Sequence, residues 1–231
     1  MTKTIFFDAA GTLFHLPKGV GWHYRDVAAR FGCHLDADAL AHAFRTGWKQ
    51  MPVRPATRFP RQDDDKGWWF SLVEQVLAQC GVSQEQLPRF AYFEQLYTEF
   101  TQPNIWELYP ETLEVLTQLR SHYRLGVISN FDGRLRPILD NLGLTGFFDP
   151  IVISSEVGAD KPDPWIFQRA LTLAGTGPAE ALHVGDEPRS DWQGAEAANI
   201  QVFRLERPLN SLRDLPGFLK ASDASTLVAQ Q

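Results

Sequence analysis

Five polar residues in this 231-residue chain stand where short apolar runs stop: Asp8 in FFDAAGTLF, Ser129 in VISNFD, Lys161 in GADKPDPWIF, and Asp186 and Asp191 in HVGDEPRSDWQGA. Open parallel sheets place their ligand sites outside the carboxyl ends of their strands, so residue types in these places invite one chemical reading. A carboxylate can attack phosphorus and hold the transferred group covalently, dividing a difficult displacement into two easier ones. Asp8 is the candidate nucleophile. The like charges of aspartate and phosphate must first be offset by a hard cation with oxygen ligands and by a positive side chain. Asp186 suits the cation, with Asp191 nearby, and Lys161 suits the positive charge. The Ser129 hydroxyl and the backbone amides of the Gly11 and Asn130 loops can donate to phosphoryl oxygens, aided by the positive end of a following helix.

Taken singly, each residue has an ordinary explanation. A strand-end Asp caps a helix or forms a turn, a Ser hydroxyl closes a turn, a Lys sits in solvent, and Asp191 caps a helix beginning near Trp192. Those explanations leave out the ordered recurrence at strand ends. The elements that must position these residues read as strands at Lys3 to Phe7, Arg124 to Ile128, Pro150 to Ile153, Ala181 to Val184 and Ile200 to Leu205. Nearly all are apolar throughout, as parallel strands covered on both faces are. Amphipathic segments lie between them, one with Leu135, Ile138, Leu139 and Leu142 on one stripe and another with Ile166, Phe167, Ala170, Leu171 and Ala174. This alternation predicts an α/β doubly wound parallel sheet. From about His15 to Leu108 the periodicity is helical only, with MPVRPATRFPRQDDD as an exposed, helix-breaking loop between two helical halves. The predicted division is a catalytic core of residues 1–14 and 109–231 and an inserted α-helical domain of residues 15–108. The polar tail after Gly217 is expected to fray.

A hydrophobic content of 44% is ample for a core of this size, and 22 basic against 28 acidic residues leave a net charge of −6. No uniform positive field is present to attract nucleic acid or an anionic membrane, so the expected partner is a small molecule, phosphorylated if Asp8 attacks phosphorus. Two cysteines, Cys33 and Cys80, lack metal-type spacing and suggest neither a disulfide framework nor structural zinc. The N-terminal residues lack the layout of a cleavable signal and no apolar run is long enough for a bilayer, so the cytoplasm is the expected address. Oligomeric state has no signal in the sequence.

The four segments DAAGT, ISN, KPDP and GDEPRSD, in this order across the core, resemble the motifs of the haloacid dehalogenase superfamily. In that family they take the forms DxDx(T/V), a Ser or Thr, a Lys, and GDxxxD. FDAAGTLF and ISNFDGRL are similar to the haloacid dehalogenase-like hydrolase domain-containing proteins with a helical cap. The resemblance implies a Rossmann-like core whose cap closes during turnover, with Asp8 as nucleophile and Ser129 and Lys161 binding the phosphoryl group. It further implies Mg2+ held by Asp8, Asp186 and the backbone carbonyl of Ala10, with Asp191 supporting Lys161 or a water on the metal.

One position departs from the family's phosphatases, where a second Asp two places after the nucleophile protonates the leaving group. Here it is Ala10. General acid and base assistance is worth a factor of about 10²–10⁴, whereas the backbone carbonyl offered to the metal survives the change. Three readings follow. The first is phosphate monoester hydrolysis with a good leaving group or with an acid from elsewhere, such as His15, His23 or Glu107. The second is carbon-group hydrolysis, either phosphonatase-like through a Schiff base on Lys49 or 2-haloacid dehalogenation. Dehalogenation ranks below phosphate chemistry because GDEPRSD keeps the full metal-binding form. The third is a binding protein that retains the fold without turnover, which the survival of Asp8, Ser129, Lys161, Asp186 and Asp191 opposes. Trp22, Trp48, Trp68 and Trp69 read as packing, and Arg54, Arg58 and Arg61 as solvated charges.

Overall fold

The computed structural model describes residues 1–228, with side chains through Ser222. The chain divides into two compact units: residues 1–15, 55–61 and 108–231, and residues 16–54 and 62–107. The first unit is built on five strands, β1 (Thr4–Phe7), β2 (Arg124–Ser129), β3 (Ile151–Ile153), β4 (Ala181–Gly185) and β5 (Gln201–Arg204). They form one parallel sheet in the order β3-β2-β1-β4-β5. The chain thus builds outward from β1 in one direction and then in the other, which makes the carboxyl end of β1 the switch point where such sheets bind ligands. In register, Thr4 lies beside Arg124 on one side and Ala181 on the other, and Phe7 beside Val127 and Val184. The strand interiors Ile5, Phe6, Phe7, Val127, Ile128, Leu182 and Val184 are fully buried, in keeping with their apolar runs.

The helical unit holds α1 (Gly19–Arg30), α2 (Ala37–Gln50), α3 (Lys66–Gln79) and α4 (Arg89–Glu99). Its core includes Val27, Leu40, Leu72, Val76, Leu77, Tyr92 and Leu96, packed against Trp68 and Trp69 among others. The four-tryptophan expectation holds in part: Trp48, Trp68 and Trp69 form a ring cluster with centroids 5.3–5.6 Å apart, and Trp22 meets His23 edge-on. Residues 55–61, read from sequence as exposed loop within the insertion, instead form a strap in the first unit. The Thr57 and Arg58 N–H groups donate to the Gly158 carbonyl, the Arg61 N–H donates to the Ser155 carbonyl, and Arg61 pairs with Asp160 at 3.2 Å. Local composition carried the helix breaks but not these distant partners.

Returning to the first unit, the sheet is flanked by α5 (Thr112–Leu119), α6 (Leu135–Asn141), α7 (Ser154–Val157), α8 (Pro164–Ala174), α9 (Gly194–Ala197) and α10 (Leu215–Val228). The stripe Ile166, Phe167, Ala170, Leu171 and Ala174 is the buried face of α8, meeting Phe6, Ile128 and Val152 of the sheet. That helix starts where the sequence says it must. The Asp163 carboxylate accepts the Trp165 N–H at 2.8 Å, Pro164 occupies the first turn, and Gly175 ends the helix in the left-handed region. The polar tail expected to fray is helical as α10 to Val228, and its last three residues lie outside the described residues. Asp163 follows Lys161 by two positions, so this cap also anchors the segment that carries the lysine. Asp163→Ala is expected to lower the stability measured by urea unfolding by about 1 kcal/mol, and Asp163→Ser to recover most of it; equal stability of both variants with the parent would remove the cap's role.

Candidate active site

Asp8 is the first residue after β1, and its N–H still donates to the Val184 carbonyl of β4 at 2.8 Å. Its side chain is nearly buried and accepts a hydrogen bond from Lys161 Nζ at 2.6 Å. The same nitrogen donates to Asp191 Oδ1, also at 2.6 Å. Three segments remote in sequence therefore meet at one ammonium group. Asn130, next to Ser129 at the end of β2, holds the lysine's backbone: its Nδ2 donates to the Lys161 carbonyl at 2.9 Å and its Oδ1 accepts the Lys161 N–H at 2.6 Å. Sequence reasoning offered the Asn130 backbone amide to a ligand and missed this use of the side chain. Ser129 is nearly buried at the end of β2.

Asp191 lies on a π-helical turn, Pro188–Gln193, entered from Gly185 at the end of β4. The alternative that Asp191 is a helix cap fails. Glu187 caps this turn, its side chain accepting the Arg189 and Ser190 N–H groups, and the Asp191 carboxylate is turned toward Lys161. Its Oδ1 also meets His183 Nε2 at 2.8 Å and its Oδ2 accepts the Glu187 N–H at 3.0 Å. A carboxylate only accepts, so Nε2 carries the proton in that contact. His183 is completely buried, and its Nδ1 has no hydrogen-bond partner among the described residues. A polar residue in the middle of the apolar strand ALHVG was the available sequence signal for it.

Asp186 follows β4 directly, and its Oδ1 accepts a hydrogen bond from the Thr12 hydroxyl at 2.9 Å. Two glycines make room for the acids. A Cβ on Gly11, whose φ is +93°, would lie 2.5–2.8 Å from the Asp186 carboxylate, and a Cβ on Gly185 would lie 2.2–2.5 Å from the Asp191 side chain. Ala10 sits in the same turn and pairs with Phe14 through an isolated bridge. One carboxylate oxygen from each of Asp8, Asp186 and Asp191 lies within 4.8 Å of the others.

The electrostatics follow from this crowding. Burial pushes Asp8 above the ordinary carboxylate range, Lys161 pulls it back, and the Asp191 charge adds to the rise. Burial would raise Asp191 as well, but the Lys161 charge and the His183 hydrogen bond outweigh it and hold Asp191 below the usual range. Lys161 is raised, because the two carboxylates more than compensate for its burial. Among the described residues no Lys or Arg forms an ion pair with Asp186, and burial together with the Asp8 charge pushes it up to about 6.

Residues that sequence reasoning considered as substitute acids are dispersed. His15 belongs to the first unit, its ring 4.7 Å from that of Tyr109. His23 is buried in the helical unit, 3.7 Å from Glu99, and Glu107 is exposed. Lys49 is exposed on α2. Cys33 and Cys80 are free thiols, and among the described residues no helix is long and apolar enough to cross a membrane.

Because the folded protein holds the Asp186 proton more tightly than an unfolded chain with its value near 3.8, the stability from that proton is full below pH about 4 and lost as the pH rises through about 6. In metal-free buffer the parent should lose stability relative to Asp186→Asn across this window and run parallel to it above. Asp8→Asn should move the Asp186 titration downward, as carboxyl NMR would show. A parallel course of parent and Asp186→Asn throughout would show that Asp186 is unperturbed.

A family model described as haloacid dehalogenase-like hydrolase matches residues 2–199. Haloacid dehalogenase-like hydrolase domain-containing protein 3 of Homo sapiens is 35% identical over 208 residues, covering 89% of this chain and 82% of that protein. Two solved structures share the fold at lower identity. A HAD phosphatase from Thermococcus onnurineus is 21% identical with a TM-score of 0.65, covering 95% of this chain and 98% of its own. A 2-haloacid dehalogenase from Pseudomonas syringae is 23% identical with a TM-score of 0.62, covering 96% and 99%. With four motifs meeting at one end of a five-stranded parallel sheet, and with these likenesses spanning most of its length, the chain belongs to the haloacid dehalogenase-like hydrolase family.

Proposed function

We propose that the protein hydrolyses a small phosphate monoester, with Asp8 as nucleophile and Mg2+ as cofactor. The observation that carries this reading is the unbalanced charge beside Asp8: three carboxylates within 4.8 Å of one another meet the single ammonium of Lys161. That ammonium is taken up by Asp8 and Asp191, which leaves Asp186 as a carboxylate with its proton held to about pH 6. An acidic group so placed costs stability at neutral pH unless a cation joins it. Carboxylate oxygens and a backbone carbonyl are hard donors of the kind Mg2+ takes, so Asp8, Asp186 and the Ala10 carbonyl fit the ion. When bound, it supplies positive charge that offsets the repulsion between aspartate and phosphate.

The chain's own residues then divide the work. Asp8 attacks phosphorus, the bond to the leaving oxygen breaks, and an aspartyl phosphate forms that water later cleaves to free phosphate and aspartate. Lys161, kept charged by Asp191, faces the phosphoryl oxygens along with the Ser129 hydroxyl and the Asn130 amide, whereas the Gly11 N–H expected to join them instead donates to the Phe14 carbonyl at 2.8 Å and closes the turn. Asp191 acts by holding Lys161. Haloacid dehalogenation does not account for Asp186, since halide displacement from carbon presents no phosphate charge for a cation to offset. The Schiff-base reading lacks support because Lys49 is exposed, without the desolvation that activates such a lysine.

What this set lacks is a proton donor at Ala10, and the substrate class follows from that lack. An aryl or acyl phosphate leaves without protonation; an alkyl phosphate does not. Phosphate release from a panel of phosphoesters with Mg2+ should favour activated leaving groups and vanish in Asp8→Asn. Metal-independent halide release from 2-chloropropionate, with no phosphate released from any ester, would overturn the reading. Ala10→Asp should raise turnover of an alkyl phosphate by a factor of about ten or more, roughly 1.4 kcal/mol, and that of an aryl phosphate far less. A folded Ala10→Asp variant with unchanged Mg2+ binding and no such gain would show that the missing acid does not limit the protein.

A further inference from the structure

The turn that carries Asp8 and Ala10 is held from both sides. On one side the Ala9 carbonyl accepts the N–H groups of Thr12 at 3.3 Å and Leu13 at 2.8 Å. On the other, Arg207 Nη1 donates to the Gly11 carbonyl at 3.0 Å and Arg207 Nη2 donates to the Thr12 carbonyl at 3.1 Å. A planar trans peptide points its carbonyl and its N–H in opposite directions. The unit joining Gly11 to Thr12 and the unit joining Thr12 to Leu13 are therefore each fixed at both ends, and the second end is Arg207 in both cases.

Arg207 follows β5, 196 positions along the chain from Gly11. It is itself firmly seated. Nη2 also donates to Glu111 Oε1 at 2.8 Å, and the guanidinium lies over the Tyr109 ring, 3.6 Å from its centroid. Glu111 is buried, and Tyr109 donates its own N–H to the Leu13 carbonyl at 3.2 Å. A planar fork with several fixed donors can satisfy two carbonyls and a carboxylate at once while stacking on a ring; a lysine ammonium cannot.

We propose that Arg207 is a positioning residue of the nucleophile turn, fixing the two peptide planes on either side of Thr12 and so holding the Thr12 hydroxyl on Asp186 and, one residue back, the chain that runs through Ala10 to Asp8. Its effect on the cation rests on the Mg2+-dependent reading above; the clamp on the turn does not. The residue lies outside the four motifs and touches none of the three acids. Partners of this kind around metal ligands typically alter affinity by a factor of about 10–100.

The test uses Arg207→Met and Arg207→Lys in the full chain. Calorimetry with MgCl2 alone gives the affinity, and amide hydrogen exchange gives the state of the turn. Both variants should bind Mg2+ at least about tenfold more weakly than the parent, the lysine variant failing to rescue despite keeping its charge. Exchange at Thr12 and Leu13 should quicken while Ile5 and Phe6 in β1 keep their protection. Should Arg207→Met fail to fold, Arg207→Lys, which keeps the stem and the charge beside Glu111, decides alone. Faster exchange with unchanged Mg2+ affinity, or no change in either, overturns the proposal. If the parent itself binds no Mg2+, the function proposed above falls, and exchange at Thr12 and Leu13 by itself decides whether Arg207 sets the turn.

Discussion

One buried ammonium organises the site. Lys161 Nζ lies 2.6 Å from Asp8 and 2.6 Å from Asp191, with all three side chains largely removed from water. Taking such charges out of water costs several kcal/mol per ion, and the cost is offset only when partners and hydrogen bonds are complete. The surroundings can be understood as the means of completing them. Asn130 grips the lysine's backbone, Glu187 relieves Asp191 of capping duty, and His183 closes the remaining approach to Asp191 from within the sheet. The site is consequently a set in which no member is independent, and removing one charge strands another.

Family membership leaves the chemistry open, because the same fold in solved structures carries the names of both a phosphatase and a dehalogenase. The distinction lies in charge rather than architecture. Asp186 sits against a turn that admits it only because Gly11 has no side chain, and it finds a hydroxyl there but no cation. Ala10 bears on the choice as well, since its methyl group offers no proton to a leaving group.

The parts legible in the sequence are those with a local physical cause. Strands covered on both faces must be apolar along their length, and all five were readable to within a residue or two of their ends. Asp8, Lys161, Asp186 and Asp191 are each ordinary taken singly and drew notice because they recur in order beyond strand ends, and the structure brings them together. What escaped were partnerships between distant residues. Nothing near Arg207 announces Gly11, nothing near Asn130 says that its side-chain amide grips the Lys161 backbone, and His183 shows only that a polar group sits in a buried strand. That Glu187 rather than Asp191 caps the turn was not legible, because the two are both acidic and four positions apart, and only the backbone path tells which of them turns inward.

The strap of residues 55–61 bears on whether the two units are separable. The first unit's chain leaves at residue 15, returns for these seven residues, leaves again, and returns finally at 108. A core obtained by deleting the whole helical insertion would therefore lose the donors that reach Gly158 and Ser155 and the arginine that meets Asp160, immediately before Lys161. The helical unit is in this sense not an accessory that can be exchanged as a cassette. A swap with a relative's insertion has to bring its own strap, or the lysine's segment loses part of its footing just beyond the end of β3.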